Sequence, residues 1–146
     1  MTQTFVHVLP GLAALSVTAV LVLRTGGPKE RQAMTAVLAC WLAATLGQIL
    51  TGGRIEPLIA GDVVFAAWLL WFTLRNALPW LYALLGVEAS RLLLHTSFYQ
   101  PGAPVSDAYR LCNNALSLAA LGVLAVAAWR RRTQAQRRPS DGRSEA

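Results

Sequence analysis

Charge is the scarcest commodity in this chain, and its scarcity excludes the most. Asp, Glu, Lys and Arg make up 14% of the 146 residues, where a soluble domain of this length carries about a quarter. Only Cys40 and Cys112 supply thiols, both within apolar runs. Their expected depths differ by about 10 Å, at about 1.5 Å of rise per helical residue. A disulfide needs Cα atoms within about 7 Å, so both cysteines are expected to be packing residues. Catalytic signatures are missing as well. The sequence has no His-Glu-x-x-His, no Gly-x-Ser-x-Gly, no phosphate-binding glycine loop and no Cys-x-x-Cys. The expectation is a protein that is not an enzyme. No basic residue precedes Arg24. The stretch "MTQTFVHVLPGLAALSV" therefore lacks the basic start of a signal peptide and is expected to stay on the mature protein.

What is present is apolar: 55% of residues are hydrophobic. They gather into five runs, at about residues 5–23, 32–51, 58–74, 78–95 and 108–129. Each is near the ~20 residues needed to cross ~30 Å of hydrocarbon, and the shortest can span if flanking residues snorkel. Breaker clusters separate them. "RTGGPKER" supplies Gly26, Gly27 and Pro28, "TGGRIEP" supplies Gly52, Gly53 and Pro57, and "TSFYQPGAPVSD" supplies Pro101, Gly102 and Pro104. The third break is only "RNALP". One helix over residues 58–95 would be roughly 57 Å long, so a tight hairpin is expected there. Asn76 is its expected N-cap, with Pro79 in the first turn. The predicted fold is all-α, an integral membrane bundle of five transmembrane helices over residues 1–132. Four spans plus one interfacial helix is the alternative. Residues 133–146 form a basic and polar tail expected to be disordered.

The basic residues orient this bundle. With the N-terminus outside, cytoplasmic segments hold Arg24, Lys29, Arg31, Arg75, Arg130, Arg131, Arg132, Arg137, Arg138 and Arg143, while outside segments hold only Arg54 and Arg110. The positive-inside rule then predicts N-out, C-in. Arginine-rich, alanine-rich usage adds a hint of a high-GC bacterium, so a bacterial inner membrane is expected. The net charge of +6 falls at span ends and in the tail rather than on one domain face, which argues against nucleic acid. Tyr99 and Tyr109 fall near the outer interface, and Trp80 and Trp129 near the inner one. Trp41, Trp68 and Trp71 lie deeper and read as packing or lipid-facing residues.

Small residues mark where helices can approach. Ala39, Ala43 and Gly47 form one stripe, Ala36, Cys40 and Ala44 a neighbouring one, and the fifth run has Ala115 and Ala119. Internal packing is the favoured use and a homo-oligomer contact the other.

One run carries a concentrated polar signal. In "LYALLGVEASRLLLH", Glu88, Arg91 and His95 fall within about 60° of one another on a helix. A charge at mid-membrane costs roughly 2.5 to 3.5 kcal/mol on insertion scales, so these groups are expected to face protein or water and to be paired. Asp62 lies at about the depth of Arg91 and is the expected interhelical partner. Glu88 is expected to pair with Arg91 at i, i+3. Gln48, Asn113, Asn114 and His7 also fall in the outer half, so the predicted polar site comprises these eight residues. It reads as a buried ion-pair network, as an outward-facing cavity for a small polar or anionic ligand at Arg91, or as part of a proton path through Glu88 and His95. The inner halves show no ionisable residue to continue such a path. No cofactor is predicted. His7 and His95 could together clamp a haem or bind a metal ion, but two histidines fall short of the three or four ligands of usual zinc sites.

A five-span, N-out layout of this length is shared with the tryptophan-rich sensory proteins. Their tryptophan, proline and asparagine motifs are not found here. The expected role is a non-enzymatic accessory or structural subunit of a membrane assembly, with the lipid bilayer and a membrane-protein partner or a second copy as its contacts. The alternatives are a small-ligand binding or transport module built on the outer-half polar site, and a phage-type holin.

Overall fold

A computed structural model describes residues 2–52, 54–99 and 106–137, with side chains described from Gly11 to Gln136. Among the described residues the chain is all helix: α1 (Thr2–Thr25), α2 (Pro28–Leu50), α3 (Glu56–Asn76), α4 (Pro79–Phe98) and α5 (Asp107–Arg137). The glycine and proline cluster at 101–104 and Gly53 lie outside the described residues.

Proline starts three of these helices. Pro28, Pro57 and Pro79 each occupy the first or second position of α2, α3 and α4. Proline's missing N–H is an orphan there in any case, and its fixed φ already suits a helix. Proline also drives the preceding residue toward extended backbone, as at Gly27 (ψ −177°) and Leu78 (ψ 136°).

The α3–α4 hairpin forms as expected, but Asn76 does not cap α4. It ends α3 instead, its Nδ2 donating to the Phe72 carbonyl at 2.8 Å. Leu78 is the residue at the α4 N-cap. The turn is made by Ala77, which sits in the left-handed region at φ 46° and donates its N–H to the Thr73 carbonyl. A Cβ is strained there, and glycine is the usual occupant. Ala77→Gly is therefore expected to stabilise the protein by about 1 kcal/mol, read as a higher midpoint in detergent thermal unfolding.

Successive helices pack side by side, and α5 returns to α1 to close the ring, while α2 also touches α5 across it. Leu69 of α3, Leu81 and Leu84 of α4, Leu124 of α5, Met34 of α2 and Val22 of α1 are fully buried at its centre. Trp68 stacks between Phe65 and Phe72, at ring separations of 5.9 and 4.9 Å, so it is a packing residue. Trp41 and Trp71 face outward, and Trp71 lies under the Arg75 guanidinium at 4.6 Å.

Small residues decide how α2 meets α3. Gly61 approaches the Ala44 Cβ and the Cys40 carbonyl, and Gly47 abuts Pro57. The stripe through Cys40 and Ala44 thus faces α3, whereas Ala39 and Ala43 face outward, as do Ala115 and Ala119 on α5. A Cβ on Gly47 would sit 2.6 Å from that of Pro57, a distance that forces the backbones apart. Gly47→Ala is expected to cost about 1–3 kcal/mol through overpacking, measured in the same unfolding assay.

The outward surface is apolar. Ile49 and Leu50 of α2, Leu74 of α3 and Leu111 of α5 are each more than 70% exposed, and leucines and valines surround the whole ring. Soluble monomers rarely expose apolar surface on this scale. Among the described residues, α2, α3 and α5 are long and apolar enough to cross a membrane. The α4 helix has the length, but Glu88, Arg91 and His95 lower its hydropathy. In α1 the described apolar part, Gly11–Thr25, is shorter. The fifth helix runs past the expected span end at Trp129 to Arg137, so the first five tail residues continue the helix. Residues 138–146 lie outside the described residues.

Candidate functional site: a buried polar cluster between three helices

The polar stripe on α4 points inward. Glu88 and His95 are buried, at 0% and 2% exposure. The stripe meets Asp62 of α3 and the face of α5 that carries Tyr109, Asn113 and Ser117. Those three residues recur every four positions and so share one side of their helix.

The shortest contacts form a chain. Asp62 Oδ2 lies 2.7 Å from His95 Nε2, and Tyr109 Oη lies 2.9 Å from His95 Nδ1. An ionised carboxylate only accepts hydrogen bonds, so Nε2–H donates to Asp62. On a neutral imidazole, Nδ1 then accepts from the Tyr109 hydroxyl. Tyr109 is itself buried, and its ring meets Phe98 edge-on at 6.2 Å.

Arg91 lies below this chain, between two carboxylates. Its Nη1 is 3.5 Å from Asp62 Oδ1 and 3.3 Å from Glu88 Oε2, and its Nη2 donates to Ser117 Oγ at 3.4 Å. Ser117 in turn donates to the Asn113 carbonyl at 2.9 Å, so its oxygen is free to accept from Arg91. These arginine contacts are long for charge-assisted hydrogen bonds, and the Asp62–His95 bond is the tighter restraint. Glu88 faces Arg91 without an aligned hydrogen bond to either oxygen, and Asn113 Oδ1 is also buried and unpartnered. Two carboxylates thus face one guanidinium and one imidazole. With both carboxylates ionised, the cluster is neutral when His95 carries two protons.

Asp62, Glu88, Arg91 and His95 therefore come together, and both expected ion pairs form. Asn113 flanks them through its backbone carbonyl. Asn114 is exposed and turns away, and half-buried Gln48 on α2 makes no side-chain hydrogen bond to the cluster. The side chain of His7 lies outside the described residues. Both ring nitrogens of His95 are engaged, which leaves neither free to ligate a haem iron or a metal ion in this arrangement. Among the described residues, no group of three His, Cys, Asp or Glu could hold a metal ion.

Sequence reading did not assign Tyr109 and Ser117 to the cluster, although their spacing of four with Asn113 was a usable signal. It also missed a second buried acid at the opposite end of the ring. Glu30 of α2 is 5% exposed and lies 3.5 Å from Arg131 of α5. The Arg131 guanidinium crosses directly over Gly27, where a Cβ would collide with it. Cys40 and Cys112 are both free, the first half-buried and the second exposed.

No protein-family model, curated protein or solved structure matches this chain.

Proposed function

We propose that this protein is a five-span integral membrane protein with its N-terminus outside and its C-terminus in the cytoplasm. In this reading it sits in a bacterial inner membrane as a non-enzymatic accessory or structural subunit of a larger assembly. One observation carries the reading: the cluster charges face one another among α3, α4 and α5, with Glu88 and His95 buried and Asp62 and Arg91 part-buried, while the outward surface is apolar. A cluster closed in this way supports rigidity rather than turnover. Charges that stay paired hold three helices in one register, because each is costly to leave alone in hydrocarbon.

The remaining surface supports docking against other helices. Ala39 and Ala43 on α2, and Ala115 and Ala119 on α5, face outward, and small residues let a partner backbone approach closely in lipid. Orientation rests on the sequence, where ten basic residues fall in the segments read as cytoplasmic against two in those read as outside.

The first test is topological. Reporter fusions at the two termini are expected to fall in opposite compartments, and finding both in one compartment refutes the five-span reading. The second is biochemical. Extraction in mild detergent is expected to recover the protein in fixed ratio with larger membrane subunits, and recovery as a lone monomer refutes the accessory role.

A second reading draws support from the orphaned Glu88 carboxylate and Asn113 Oδ1. Buried polar atoms without partners are places where a small polar ligand could bind, which keeps a binding or transport module in view. In that reading Arg91→Ala abolishes ligand binding in protein that still folds.

A further inference from the structure

Opposite the polar cluster, the ends of α1 and α5 enclose an open cleft of about 700 Å³ lined by Arg24, Thr25, Arg131, Arg132, Ala135 and Gln136. Its charge is of one sign. Three of the six lining residues are arginines and none is acidic. Glu30 contacts Arg131 through Nη1 alone, and a guanidinium has five N–H donors. Among the described residues, no carboxylate pairs with Arg24 or Arg132. The Thr25 hydroxyl proton is already donated to the Leu21 carbonyl at 2.7 Å, so the arginines supply the charged donors.

Arg131 also has a partner. Glu30 contacts one side of its guanidinium at 3.5 Å, and the half-exposed side chain lies over Gly27. A guanidinium suits the geometry of phosphate oxygens.

We propose that this cleft binds a phosphate-class anion, namely the phosphodiester headgroup of an anionic membrane lipid. The inference rests on the membrane-spanning reading above, which puts the cleft at the cytoplasmic headgroup level. Basic pockets between spans on that side suit anionic headgroups. An independent feature favours a lipid over a free anion. Val17 and Val20 share the α1 face of Arg24 and are 69% and 54% exposed, which gives acyl chains an apolar track beneath the headgroup. Trp129, 58% exposed, lies one turn before Arg132 on α5, where an indole marks the interface.

The test uses full-length protein in phosphatidylcholine bilayers carrying trace spin-labelled lipid. Spin-labelled phosphatidylglycerol is expected to show a larger motionally restricted fraction than spin-labelled phosphatidylcholine. Arg24→Gln and Arg132→Gln are each expected to reduce that preference about fivefold, the equivalent of ~1 kcal/mol per basic residue at an anionic surface. Arg110→Gln, at the opposite end of the ring, leaves it unchanged. Inorganic phosphate at high concentration is expected not to displace the lipid. Displacement would keep the phosphate site but assign it to a free anion. Equal restriction of both lipids, or a preference untouched by Arg24→Gln with Arg132→Gln, overturns the proposal. Flotation with the vesicles reports insertion separately, so a failed site is distinguishable from a failed membrane reading.

Discussion

Replacing Arg91 with leucine is expected to destabilise the protein by about 3–5 kcal/mol, the usual consequence of removing one partner from a buried charge pair. The reason lies in what remains. Arg91 contacts Asp62 at 3.5 Å and Glu88 at 3.3 Å. Without it Asp62 keeps His95, but Glu88 keeps nothing. A fully buried carboxylate with no hydrogen bond has no way to offset its desolvation except to take a proton. The loss is therefore expected to be largely reversed by Glu88→Leu in the Arg91→Leu background, since well-packed apolar residues often replace a buried ion pair at little cost. The four proteins of this cycle, unfolded reversibly in mixed detergent micelles, give the coupling directly. If Arg91→Leu alone unfolds at the wild-type midpoint, the network is not what fixes α3 against α4.

Much of this arrangement is legible in the sequence because long apolar runs leave few options. Helix number and approximate ends follow from run length and from proline and glycine at the breaks, where a helix cannot continue. The Asp62–Arg91 and Glu88–Arg91 pairs are legible because position along each run and helical phase together leave few partners for a charge inside an apolar run. Facing was less legible. Asn113 and Asn114 are adjacent in sequence, and only packing decides that the first turns toward α4 while the second turns out. The same holds for the Ala39 and Cys40 stripes, since both are smooth and only the approach of Gly61 to Ala44 and Cys40 turns one of them toward α3. Asn76 departs from its expected role because a residue type that caps helix starts can equally close a helix end through its amide N–H. Glu30 went unnoticed because it sits in a charged turn, where exposure is the default, and its burial depends on Arg131 from the far end of the chain.

His95→Leu is the second large effect, expected at about 3 kcal/mol. His95 joins Asp62 to Tyr109 at 2.7 and 2.9 Å, so its removal orphans the Tyr109 hydroxyl and leaves Asp62 only the longer contact to Arg91. A hydrogen bond to a charged partner contributes about 1.5–3 kcal/mol, and a buried donor left without an acceptor adds a penalty of its own. Tyr109→Phe isolates the second part. It deletes only the hydroxyl, leaves the ring against Phe98, and should cost about 1 kcal/mol. The order of effects, His95→Leu well above Tyr109→Phe, follows from Asp62 being the charged end of the chain. Equal losses for the two variants would mean instead that the Tyr109 hydroxyl, rather than the carboxylate of Asp62, is what holds the outer end of α4 to its neighbours. In that case Asp62→Asn would leave stability unchanged, whereas a carboxylate-centred network predicts a clear loss in the same unfolding measurement.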